Sequence, residues 1–114
     1  MTLHHFYFSF PLDLFSIESK RETITENLLN SFILFQDKTS FEEIYNLLFP
    51  KIYKFFGFRI KNQDDTEDLT QETFLVILKR IKTFKFQGNG SFEAWCFRIA
   101  KNVLSNFLSK KKRK

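Results

Sequence analysis

This sequence is poor in the residues that carry covalent and redox chemistry: it has one cysteine, one methionine, one tryptophan and two histidines in 114 residues. A single cysteine excludes an internal disulfide framework and suits a reducing cytoplasm. Cys96 stands between Trp95 and Phe97 with no histidine beside it, so it reads as a small packed hydrophobe rather than a nucleophile. His4 and His5 are adjacent and have no partners at metal-ligand spacing, so no metal site is nominated. There is no phosphate loop, no paired base and nucleophile and no cofactor fingerprint, and the chain is read as neither an enzyme nor a cofactor binder. No apolar run reaches the roughly 18 residues of a membrane span. The opening His4 to Phe10 is apolar, but Pro11 and Asp13 follow it and no basic stretch leads it, which is unlike a signal peptide.

What is present suffices for one globular domain. Hydrophobic residues make up 43% and charged residues 27%, a balance that separates the chain from disordered sequences. Phenylalanine is abundant, at 17 residues, but alongside many Lys, Ile and Asn it reflects an AT-rich coding bias as much as function. The formal net charge of +5 conceals a division along the chain. From Lys79 onward eleven lysines and arginines face the single acid Glu93, an excess of about ten positive charges. That third of the chain is suited to a polyanion.

Apolar spacing predicts an all-α fold, a compact helical bundle of about four helices. Residues 1–21 match no regular pattern and form an N-terminal extension of unknown role. The helical domain is placed at 22–109, with a basic tail or the start of a linker at 110–114. The first helix is expected from Glu22 to Phe35, with Ile24, Leu28, Leu29, Phe32, Ile33 and Phe35 on its apolar side. Asp37 to Thr39 breaks it, and Ser40 with Glu43 reads as a capping box for a second helix. That helix is expected to bury Phe41, Ile44, Tyr45, Leu48, Ile52, Phe55 and Phe56, and to bend or divide at Pro50. Gly57 and the run Lys61 to Asp64 supply the next turn. A third helix, capped by Asp65 or Thr66, ends near Thr83. The loop from Phe84 to Gly90 follows, and a last helix, capped by Ser91, runs from Phe92 to about Ser109.

Two of these helices have faces that the core does not explain. On the third, Leu69, Thr73, Phe74, Val76, Ile77 and Ile81 share the core arc. The opposite arc holds Glu67, Asp68, Gln71, Glu72 and Lys79, with Leu75 and Leu78 among them. Acids, an amide and two leucines together describe a docking surface, unless a neighbouring helix covers the leucines. On the last helix a wide apolar arc comprises Phe92, Cys96, Phe97, Ile99, Ala100, Val103, Leu104, Phe107 and Leu108. Its other face carries Arg98, Lys101, Asn102, Ser105 and Ser109, with Trp95 and Asn106 at the boundary. An aromatic plane, cations and an amide on one face suit stacking, phosphate contact and base-edge contact. Phe84 and Phe86 around Lys85 repeat the pattern at the glycine loop. Trp95, Phe84 and Phe86 could equally be core aromatics, and a lysine tail also serves solubility.

The run Thr66-Glu67-Asp68-Leu69-Thr70-Gln71-Glu72-Thr73-Phe74 closely resembles the Ala-Glu-Asp-Leu-x-Gln-Glu-x-Phe segment of bacterial RNA polymerase sigma factors of the extracytoplasmic-function (ECF) group. Gly90 to Asn102 is similar to the group's Gly-Ser-Phe-x-x-Trp-Leu-x-Arg-Ile-Ala-x-Asn segment. With Phe41-Glu42-Glu43-Ile44-Tyr45 and Pro50-Lys51-Ile52-Tyr53, the resemblance covers roughly residues 25 to 114, in order.

The resemblance implies a sigma region 2 domain, which binds core polymerase and recognises and melts the promoter minus-ten element. It implies that Asp68, Gln71, Glu72, Leu75 and Leu78 face the clamp helices of the polymerase. It implies DNA contacts from Phe84, Lys85, Phe86, Ser91, Trp95, Arg98, Lys101 and Asn102. The partners implied are core RNA polymerase, the single-stranded minus-ten element and an anti-sigma factor, with no membrane, in the cytoplasm. The alternative is a truncated sigma that binds polymerase or an anti-sigma partner without opening promoters. Family members continue into a second helical domain that reads the minus-thirty-five element. Here Lys114 falls where the linker to that domain begins, so fragment, truncated product and lone region 2 all stay open. Cys96 and Asn89 depart from the family pattern and bear on base preference.

Overall fold

The computed structural model describes residues 24–113, so the expectations for residues 1–21 and for a helix start at Glu22 lie outside the described residues. Among the described residues there are four α-helices and no strand: α1 (Glu26–Phe35), α2 (Lys38–Arg59), α3 (Gln63–Arg80) and α4 (Ser91–Arg113). A 3₁₀ turn, Ile81–Thr83, closes α3.

Three helix starts have a side-chain cap, and two of these lie three residues or more before the expected place; Ser91, expected to cap the last helix, is instead its first residue, with its hydroxyl turned to the Gln87 N–H of the preceding loop. Thr25 caps α1, its hydroxyl accepting the Leu28 N–H at 3.2 Å. Asp37, not Ser40, caps α2. Its Oδ2 accepts both the Ser40 N–H (3.2 Å) and the Ser40 hydroxyl (2.6 Å), while Ser40 itself is buried and Glu43 exposed. Asn62, not Asp65 or Thr66, caps α3, its Oδ1 accepting the Asp65 N–H at 2.9 Å. Thr66 is drawn into the core, and its hydroxyl donates back to the Asn62 carbonyl at 3.0 Å. Asp64 and Asp65 then lie in the first turn, where the dipole favours acids.

Pro50 does not divide α2, which is one helix of 22 residues. A proline removes one intrahelical donor, and the packing on either side outweighs that loss. Gly57 also lies inside α2 rather than in the turn. At the other end of the chain α4 passes the expected stop near Ser109 and continues through the lysine run to Arg113. No glycine or proline interrupts it there, lysine is a good helix former, and cations suit a helix C-terminus.

The core lies where α3 packs between α2 and α4, with α1 against α2. Leu48, Ile52 and Phe56 of α2 meet Leu69, Phe74 and Ile77 of α3 and Phe92, Cys96, Ile99, Ala100 and Val103 of α4 in one cluster. Two further threonines of α3, Thr70 and Thr73, are wholly buried; their hydroxyls donate to the Thr66 and Leu69 carbonyls at 2.7 and 2.8 Å. That back-bonding satisfies them without a partner from another helix. Several residues assigned to apolar stripes sit differently, Leu28, Phe32, Ile33, Phe97, Leu104 and Phe107 among them being only half-buried. Phe35 and Leu108 are exposed, and Phe41 and Tyr45 are half-buried in a chain of ring contacts running from Phe32 to Phe49.

Candidate docking face and nucleic-acid interface

Among the described residues no helix lies over the outward face of α3 at Leu75. Asp68, Gln71 and Glu72 are exposed, Leu75 is 66% exposed and Leu78 36%. Among the described residues Leu75 is therefore not covered by a neighbouring helix, whereas Leu78 is covered in larger part. Val76, expected in the core arc, is half-buried at the edge of that face.

The loop after α3 is fixed at both ends. Phe84 N–H donates to the Ile81 carbonyl at 3.2 Å and Ser91 N–H to the Gly88 carbonyl at 3.1 Å. The Ser91 hydroxyl accepts the Gln87 N–H at 3.1 Å, so Ser91 holds the loop shut. Gly88 and Gly90 have φ of +113° and +88°, which a side chain tolerates poorly. This short loop brings Phe84 onto the first turns of α4. Phe84 meets fully buried Phe92 edge-on at 5.2 Å and Trp95 at 5.2 Å, and Phe92 meets Trp95 at 5.6 Å. Phe84, Phe86 and Trp95 are all half-buried, whereas Lys85 is exposed. Phe84 and Trp95 are anchored in the core through Phe92 yet keep part of their surface in water, so the core and stacking roles are compatible.

Arg98, Lys101 and Asn102 are exposed along α4. Asn102 also lines a cleft of about 310 Å³ between α3 and α4. Glu72, Val76 and Arg80 form one wall of it; Ile99, Asn102, Val103, Ser105 and Asn106 form the other. The cleft has an amide-bearing side, a cation and an apolar floor. Among the described residues no ion pair neutralises Arg80, Lys85, Arg98 or Lys101. Arg80 and Asn106 are cleft residues that the sequence pattern alone does not place among the site residues. Their spacing was visible, but which helix faces meet was not.

Two buried groups near the loop are structural. Glu93 Oε2 accepts the Ile24 N–H at 2.7 Å across 69 positions of sequence, while Oε1 is buried without a partner. Cys96 is fully buried, and burial, with the Glu93 charge as a lesser cause, pushes its thiol far above the ordinary range. It is a packed hydrophobe, as its neighbours in sequence indicate.

The family model for sigma-70 region 2 matches residues 42–114. Among curated relatives, the chain is 37% identical over 67 residues to the ECF RNA polymerase sigma factor BldN of Streptomyces coelicolor, covering 59% of this chain and 25% of that protein. It is 30% identical over 71 residues to SigX of Bacillus subtilis, covering 62% and 36%. It is 32% identical over 76 residues to SigW of the same organism, covering 67% and 40%. The chain thus spans a quarter to two fifths of the length of these relatives. No solved structure gives a significant match. Among the described residues no helix is long and apolar enough to cross a membrane. The matched region contains the acidic face of α3, the glycine loop and all of α4, and the chain belongs to the sigma-70 region 2 family of non-enzymatic transcription initiation factors, in its ECF group.

Proposed function

We propose that this chain is a transcription initiation module that docks on core RNA polymerase in the cytoplasm and takes up the melted minus-ten element of promoters. Docking uses Asp68, Gln71, Glu72, Leu75 and Leu78. DNA contact uses Phe84, Lys85, Phe86, Trp95, Arg98, Lys101 and Asn102, with Ser91 holding the loop. The observation that carries this reading is the exposure of Leu75 among acids on a helix whose neighbouring edge opens into the polar α3/α4 cleft. An apolar side chain left in water on an otherwise acidic face is what a basic, partly apolar partner surface requires.

The chemistry of the second surface fits an unpaired strand better than a duplex. Trp95 and Phe84 offer ring faces to a base, Asn102 offers an amide to a base edge, and Arg98, Lys101 and Lys85 offer charge to phosphates. Extruding a base costs a few kcal/mol, which stacking worth about 1–3 kcal/mol per base can offset. An anti-sigma factor would compete for the same two surfaces.

The test uses the single tryptophan. Trp95 emission should change on adding a single-stranded minus-ten-like oligonucleotide and change less with its duplex, and the chain should be retained by immobilised core polymerase. Equal responses to random sequence and to duplex would reduce the DNA reading to charge binding.

A further inference from the structure

Glu72 belongs to two surfaces at once. It stands on the acidic face of α3 with Asp68 and Gln71, and it also ends the α3 wall of the cleft, in line with Val76 and Arg80. Steps of four residues bring 72, 76 and 80 onto one line of the helix. Asn102 and Asn106 of α4 lie on the opposite wall. Beyond Lys79 the chain has one acid, Glu93, and its carboxylate is turned inward to the Ile24 N–H. Among the described residues Glu72 is therefore the one acid lining the cleft, and it forms no ion pair with Arg80.

A carboxylate at this position opposes the purpose of the groove that it borders. The cleft suits a nucleotide through Asn102 and Arg80, yet Glu72 repels the phosphate that a nucleotide brings. We propose, resting on the function given above, that Glu72 is a charge gate between the two surfaces. In the free chain its carboxylate weakens uptake of a phosphate-bearing strand into the α3/α4 cleft. When the acidic face docks, a basic residue of the polymerase pairs with Glu72 and lifts the repulsion. Docking and strand uptake are then coupled through one side chain, and by linkage a bound strand strengthens docking to the same extent. The position is exposed, so the effect is modest in size and falls as salt rises.

The experiment titrates the 114-residue chain with a single-stranded minus-ten-like oligonucleotide, read by Trp95 fluorescence. The variant is Glu72→Gln, which removes the charge and keeps the shape. Glu43→Gln, on the exposed side of α2, makes the same change in net charge away from the cleft. Glu72→Gln should bind about threefold more tightly at low salt, as expected for one unit charge removed near a phosphate in a water-like medium. The gain should shrink with added salt, Glu43→Gln should follow the parent chain, and with core polymerase bound the advantage of Glu72→Gln should vanish. Equal gains from the two variants, or a gain that persists on polymerase, would overturn the gate and leave the proposed function standing. Failure of the parent chain and both variants to bind the oligonucleotide would overturn the function itself, and the gate with it.

Discussion

Leu75 offers the sharpest measure of whether the outer face of α3 is a docking surface. It is 66% exposed, so only about a third of its burial is realised within the domain. Full burial of a leucine side chain is worth about 2.5 kcal/mol. On that scale Leu75→Ala costs the fold less than about 1 kcal/mol, a shift of a few degrees in melting midpoint. The remaining two thirds can be buried only by a partner. Losing that part should cost about 1.5 kcal/mol of binding, roughly tenfold in Kd for core polymerase. Ile77 provides the contrast, being 2% exposed on the opposite side of the same helix. Ile77→Ala should cost about 2–5 kcal/mol of stability through transfer and cavity terms. Leu78, at 36% exposure, divides its burial between fold and partner and discriminates less well. The assay pairs thermal unfolding with titration against immobilised core polymerase. If Leu75→Ala melts as early as Ile77→Ala, or binds polymerase as tightly as the parent chain, the docking argument is wrong.

Three further outcomes are expected. Asn102→Ala should lower the promoter selectivity of the reconstituted holoenzyme by about 1–3 kcal/mol, the worth of one base-edge contact; unchanged selectivity on mismatched minus-ten elements would remove Asn102 from readout. Asp37→Ala should destabilise the chain more than Glu43→Ala does, because Asp37 carries both the α2 cap and the buried Ser40 hydroxyl. The reverse order in chemical denaturation would restore Ser40 and Glu43 as the cap. The Cys96 thiol, raised by burial from an ordinary value of 9.0, stays protonated in the fold while the unfolded chain ionises. Its contribution is therefore intact below about pH 9 and lost as pH rises above it. Denaturation midpoints should fall on moving from neutral to strongly alkaline pH, and Cys96→Ala should flatten part of that fall. Tyr45, also raised by burial, accounts for a further part. An equally steep decline in Cys96→Ala would count against the burial argument.

The sequence by itself determined the fold class, the helix count among the described residues, the inward arc of α3 and the family. Those follow from periodicity, which needs only the chain, and from two motifs that lie within single helices and one adjoining loop. Leu69, Phe74 and Ile77 are buried, and Glu67, Asp68, Gln71 and Glu72 exposed, as the 3.6-residue repeat requires. The helix starts were less legible. Asp37 to Ser40 and Asn62 to Thr66 each contain several residues able to cap, and local propensity does not rank them. Tertiary packing did, by drawing Ser40 and Thr66 into the core and leaving Asp37 and Asn62 at the helix starts. Whether Leu75 and Leu78 were covered, and whether Trp95 was core or surface, depended on where neighbouring helices lie. Only the packed structure decided that Leu75 is open and that Trp95 rests on Phe92 with part of its ring in water. The cleft depended on tertiary structure entirely. Glu72 and Arg80 stand on one helix and Asn102 and Asn106 on another, and a periodicity within each helix carries no information about which lines face across the gap.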